Sequence, residues 1–240
     1  MAISAVLALS TTAACGAEKD SDSKAPAAAT ATTTPSTEPP AQNASPAPGK
    51  AAPGADLKDL IVTEVKGFEV TEAAASEVRA SGAVKASKAA CQPIADLVGT
   101  AAAGSPEDTV YRQLVAASEP EDMTASGVLV GLSAYAPGKA AQALAGLGKA
   151  VSACGAGFTT TSPDGTDDYA GVTAEEGPAG LDESLAFELT GSLDGEKIPL
   201  KYALVRTGDT VALFYAMNPF DPASAEIAPE VTAAQVARLA

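Results

Sequence analysis

Apolar and polar positions alternate most regularly between Ser184 and Met217. Leu185, Phe187 and Leu189 alternate with Ala186, Glu188 and Thr190, and Ile198, Leu200, Tyr202 and Leu204 alternate with Pro199, Lys201 and Ala203. Val211, Leu213, Tyr215 and Met217 form a third row, with Phe214 on the opposite side. A period of two is the mark of a strand with one buried face. The runs are separated by Leu193-Asp194-Gly195-Glu196 and by Thr207-Gly208-Asp209, and glycine accepts the positive φ that hairpin turns need. The pattern predicts three consecutive antiparallel strands.

Elsewhere the period lengthens to that of a helix. Ala140, Leu144, Leu147, Val151 and Cys154 are spaced four, three, four and three apart, which predicts a helix over 137–154 that ends before Gly155 and Gly157. Pro93 opens a shorter helix through Ile94-Ala95-Asp96-Leu97-Val98, with Gly99 past its end. Leu57, Leu60 and Ile61 have helical spacing, a short strand follows through Phe68 and Val70, and 71–81 fits either a helix or a loop. Thr109–Val115 and Gly127–Tyr135 read as strands around a loop at 118–122. Phe158–Thr161 and Tyr169–Thr173 read as weaker strands around the Asp164-Gly165 turn, and Val231–Leu239 as a closing amphipathic helix. Together these predict a single α+β domain over 55–240, an antiparallel sheet of about five to seven strands covered by two to four helices.

The chain ahead of that domain has a different composition. Residues 2–14 carry no charge and end in Ala13-Ala14-Cys15-Gly16, after which Glu18, Lys19 and Asp20 follow at once. Small residues before such a cysteine resemble the end of a bacterial lipoprotein signal peptide, in which the cysteine is lipidated and becomes the mature N-terminus. Thr12 stands where that motif usually has Leu. The apolar run is shorter than the roughly 20 residues that span a bilayer. With no basic segment before it, Met1 is read as lying inside the apolar core, with the true start upstream. Residues 16–54 hold prolines 26, 35, 39, 40, 46, 48 and 53 and no Leu, Ile, Val or aromatic. Such a segment cannot offset the entropy of ordering, so a disordered tether is expected. At about 3.1 Å per residue it would reach on the order of 100 Å. A lipid anchor, a spacer and a folded domain describe a protein held on the extracytoplasmic face of a cell membrane.

Charge and cysteine count narrow the chemistry. A formal net charge of −15 disfavours nucleic acid, whose phosphates need a basic patch, and disfavours direct attachment to anionic headgroups. If Cys15 takes the lipid, Cys91 and Cys154 remain, an even number in an exported domain. A bridge between them would close a loop of about 64 residues and contribute roughly 4 kcal/mol. Two buried thiols or a redox pair are the alternatives, though no Cys-x-x-Cys spacing supports the latter.

The chain contains no histidine, so Ser-His-Asp and Cys-His nucleophile systems and His-bound metal sites have no base or ligand to use. No dinucleotide-binding or phosphate-binding glycine loop occurs, and the pattern calls for no cofactor. Asp164, Asp167 and Asp168 could suggest calcium, but they lack the order and distal Glu of an EF-hand and read as a solvated turn. Tyr135, Tyr202, Phe214 and Tyr215 are candidates for the lining of a ligand groove between the sheet and the helix over 137–153.

The lipidation motif, the tether, Cys91-Gln92-Pro93 before a helix, Cys154 at a helix end and the late Phe214-Tyr215-Ala216-Met217-Asn218 run resemble actinobacterial envelope lipoproteins. They are similar in particular to the PknH-type extracellular sensor domain, over about residues 55–220. That resemblance implies a disulfide-stapled mixed α/β domain with a cleft for an unidentified ligand, and it transfers no site residues. The expected function is a non-catalytic binding or sensing lipoprotein for an unidentified envelope ligand, a small molecule or an envelope protein. The alternative is a structural or protein-interaction lipoprotein, and a histidine-free enzyme ranks last.

Overall fold

The computed structural model describes residues 56–240 apart from 81, 118–126, 180 and 194. The predicted leader with Cys15, the tether to residue 54 and the loop at 118–122 lie outside the described residues.

In chain order the elements are α1 (Leu57–Leu60), β1 (Phe68–Ala73), α2 (Ala75–Val78), β2 (Lys85–Ala86), α3 (Gln92–Thr100), β3 (Asp108–Ala116), β4 (Gly127–Ala134) and α4 (Lys139–Ala153). They continue with β5 (Phe158–Ser162), β6 (Gly165–Tyr169), β7 (Gly171–Glu175), β8 (Glu183–Leu193), β9 (Glu196–Thr207), β10 (Thr210–Met217) and α5 (Pro229–Leu239). The predicted meander is β8-β9-β10, in register Leu185↔Leu204 and Leu189↔Leu200, then Leu204↔Leu213 and Tyr202↔Tyr215. Gly195, at φ 87°, makes the first of its turns. Seven strands form one antiparallel sheet in the order β1-β3-β4-β10-β9-β8-β7, and β2-β5-β6 form a second, three-stranded one. Asp167 and Asp168 therefore lie on a paired strand, opposite Thr160 and Thr159, rather than in a turn.

Strand parity divides the large sheet into two apolar faces. Leu129, Leu200, Tyr202, Leu204, Leu213 and Tyr215 face one side, with α3 and α4 over it. Val128, Val130, Ala203, Val205 and Phe214 face the other, covered by Leu57, Ile61 and Val62 at the start of the domain and by Val231 and Leu239 of α5. Each fully buried Leu, Val or Phe contributes about 1.5–3 kcal/mol. On the second face the buried Gln235 side chain accepts from the Val62 amide at 2.8 Å and donates to the Leu60 carbonyl at 3.0 Å. Arg238 donates to the Leu60 and Asp59 carbonyls beside it.

On the first face α4 buries the predicted stripe, Ala140, Leu144, Leu147 and Val151. Helix α3 runs one residue past Gly99. Its left-handed cap is Ala101, at φ 50°, whose amide donates to the Leu97 carbonyl. Gly99 serves close approach instead of termination, since a Cβ there would lie 2.7 Å from Val84 Cγ2. Cys91 and Cys154 form a disulfide with Cα atoms 5.9 Å apart, both fully buried. It joins the start of α3 to the end of α4, so the two covers of this face are fixed to each other.

Candidate functional site

Opposed positions on β9 and β10 bring the Tyr202 and Tyr215 rings to 4.9 Å between centroids, tilted by 32°. Phe187 of β8 stacks on Tyr202 at 5.1 Å and 15°. Three rings thus cross three strands on the face that carries α3 and α4. Helix α4 packs over β7 and β8, and the end of α3 lies over Gly131 of β4, which leaves Leu129, Leu213 and Tyr215 beside it facing open space.

The space left there is a cavity of about 580 Å³. Leu129, Leu213, Tyr202 and Tyr215 form its floor, and Val78 of α2 with Leu97 and Val98 of α3 form its wall. Glu77 and Gln113 supply polar groups. The volume falls within the roughly 300–1,000 Å³ of small-molecule sites, which are mostly apolar with a few polar groups. The wall is held by polar contacts behind it. The Tyr111 hydroxyl donates to the Thr100 carbonyl at 2.9 Å and accepts from Arg79 Nε at 3.3 Å, and the Ala80 amide donates to the Gly99 carbonyl at 2.9 Å.

The floor tyrosines stay neutral phenols. Burial pushes the Tyr202 hydroxyl well above its ordinary value, and burial followed by the nearby Tyr169 pushes Tyr215 up to about 12. Tyr215 is half-buried, and its hydroxyl donates to Met217 Sδ at 3.3 Å. The Tyr202 hydroxyl makes no hydrogen bond among the described residues. A polar group of that kind on an apolar floor can give or take one hydrogen bond with a bound molecule.

The four residues expected to share a groove are separated. Tyr202 and Tyr215 lie on the cavity floor, whereas Phe214 is 0% exposed on the opposite face, because neighbours on a strand point opposite ways. Tyr135 is buried past the end of β4, donates to the Ala103 carbonyl at 2.6 Å, and is pushed up to about 12 by burial. The cavity lies against α2 and α3, not against the helix over 139–153. Leu213 shares the parity of Tyr215 and could have been found from it. Gln113 and Val98 reach the site through pairings and packing that no local pattern reveals.

A second concavity of about 280 Å³ shares Leu200 and Met217 with the first and continues over Gly191, Ile198 and Tyr169 to Asp167 and Asp168. On the opposite face a third, of about 500 Å³, lies beside Lys201. The Lys201 ammonium pairs with Glu175 and with Glu188 at 2.8 Å. Burial lowers its pKa, but these two carboxylates outweigh burial and leave it raised. Among the described residues no three His, Cys, Asp or Glu side chains converge as metal ligands, and no helix is long and apolar enough to cross a membrane.

No family model and no curated protein matches the chain. Among solved structures it is similar to the extracellular domain of PknH from Mycobacterium tuberculosis. The identity is 15%, the match covers 72% of this chain and 83% of that one, and the TM-score is 0.45. At that level the likeness carries no statement of function.

Proposed function

We propose that this protein is an extracytoplasmic binding module that holds a small apolar ligand over Tyr202 and Tyr215 without converting it. The observation that carries this reading is the cavity of about 580 Å³ left open on an otherwise covered sheet face, with a neutral tyrosine floor. Such a surface recognises shape and apolar area, with one or two hydrogen bonds for orientation. The chain offers no histidine as a base near neutral pH, which favours binding over turnover. The buried Cys91–Cys154 disulfide supports an oxidising compartment. Lipidation at Cys15 would then tether the domain to the outer membrane surface, with residues 16–54 as the spacer.

Two experiments test this. N-phenyl-1-naphthylamine, a neutral apolar fluorophore, should bind the domain at one site, and Tyr215→Ala should weaken it about tenfold. Absence of saturable binding to the folded domain would sink the ligand reading. For the anchor, Cys15→Ser expressed behind a complete lipoprotein leader should shift the protein out of the detergent phase, and unchanged partitioning would reject it.

A second reading has one feature in its favour. Phe220 is 62% exposed on a loop fixed by the buried Asn218, whose Oδ1 accepts from the Phe220 and Asp221 amides at 3.0 and 2.9 Å. A rigidly held exposed aromatic suits a protein-interaction role. Loss of a co-purifying partner on Phe220→Ser, with N-phenyl-1-naphthylamine not bound, would favour it.

A further inference from the structure

We propose that the two concavities sharing Leu200 and Met217 form one channel that takes the alkyl chain of a single-chain amphiphile, with a cationic head at Asp167. This rests on the binding reading above and names the class of ligand. Leu200 and Met217 line both spaces, which therefore adjoin across these two side chains. Met217 stands at the junction and is 37% exposed. An unbranched thioether is the side chain best able to swing aside for a chain. The joined floor crosses β3, β4, β10, β9 and β8, which is four strand spacings or about 19 Å. That is long and narrow for a compact ring system and suited to an extended chain. Leu129, Leu213, Leu200 and Ile198 line it with aliphatic surface.

Gly191 lines the second concavity beside Leu200. A Cβ there would lie 2.9 Å from Leu200 Cδ1 and 3.8 Å from Tyr169 Cε1, so the missing side chain is what keeps the path open.

The ends of the channel choose the head. No Lys or Arg lines either concavity. At the α2 end the Glu77 carboxylate already accepts from the Ala74 amide at 2.6 Å. At the far end Asp167 and Asp168 are exposed, and their carboxylates make no hydrogen bond or ion pair among the described residues. Asp167 shares its strand face with Tyr169, which lines the concavity, whereas Asp168 points the other way. On a chain of net charge −15 the Asp167 carboxylate repels an anionic head and attracts a cationic one.

The test displaces N-phenyl-1-naphthylamine from the domain with octyl-, decyl- and dodecyltrimethylammonium below their micelle concentrations, with circular dichroism confirming the fold throughout. Displacement should tighten about fourfold for each added methylene. Dodecyl sulfate should compete at least tenfold more weakly. Asp167→Asn should abolish the preference for the cationic head while keeping the dependence on chain length, and Asp168→Asn should leave both unchanged. Gly191→Val should flatten that dependence while the fluorophore still binds. Affinity independent of chain length, or equal competition by the sulfate, would overturn the proposal and leave the binding reading standing. Failure of the fluorophore itself to bind would remove both.

Discussion

Phe214 and Tyr215 are consecutive residues that face opposite ways, so truncating each one separates folding from binding. Phe214 is fully enclosed among the aliphatic side chains under α5. Phe214→Ala deletes a buried ring and leaves a hole, which destabilises by about 3–5 kcal/mol. For a domain of this size 1 kcal/mol moves Tm by about 2–4 °C, so Tm should fall by about 6–20 °C. Against a typical total of about 5–15 kcal/mol the variant stays mostly folded at room temperature. The hole opens on the face away from the cavity, so affinity for N-phenyl-1-naphthylamine should stay within twofold. Tyr215 is half-buried at the cavity floor, and its contact with the Tyr202 ring is worth about 0.5–1.5 kcal/mol beyond area. Tyr215→Ala should therefore lower Tm by only about 1–6 °C while weakening the fluorophore about tenfold. Thermal melts by circular dichroism and fluorescence titrations well below both transitions read the two effects independently. If Phe214→Ala weakens binding as much as Tyr215→Ala once the unfolded fraction is subtracted, the cavity over Tyr215 is not the site.

Three further outcomes follow from the packing. Replacing Cys91 and Cys154 together by Ala removes a link across 63 residues, worth roughly 4 kcal/mol in the chain-entropy model, and calorimetry should show Tm lower by about 8–16 °C; a drop of under 2 °C would refute the clamp. Gly157→Ala would place a Cβ 2.2 Å from the Tyr169 carbonyl oxygen at φ 76°, and urea unfolding should show a loss of at least about 3 kcal/mol. Gly195→Ala, also at positive φ but with open space around it, should lose only about 1–2 kcal/mol, and equal losses would contradict the backbone clash. Burial holds Tyr135 and Tyr215 up to about 12, while in the unfolded chain tyrosines ionise near their ordinary 10. Between those values the unfolded state has lost protons that the folded state keeps, so stability present below pH about 10 should be lost as pH rises toward 12. Melts against pH, followed by tyrosinate absorbance, would show no such fall if the rings were open to water.

Much of the fold was legible because strand and helix periods are local properties. The alternation from Leu185 to Met217 marked out β8, β9 and β10, and the stripe from Ala140 to Val151 marked α4. The cysteine count pointed to Cys91 and Cys154. The site was less legible. Tyr202 and Tyr215 have matching parity across the second hairpin, but grouping Phe214 with them set that parity aside. The pairing of β10 with β4, which sets Leu129 beside Leu213, joins segments that no turn connects. Strand β6 was hidden for a similar reason. Gly165-Thr166-Asp167-Asp168-Tyr169 has four exposed residues and no apolar alternation, so only its pairing with β5 makes it a strand.

Gln235 holds Leu60 and Val62 across more than 170 residues of sequence. A chain emerging from a ribosome cannot close this face until its α5 segment has emerged as well. Until then Ile61, Val130 and Phe214 lack their cover, and non-local closure of this kind is slow. The α5 helix therefore acts as a latch, and the domain commits to its fold only when that segment arrives.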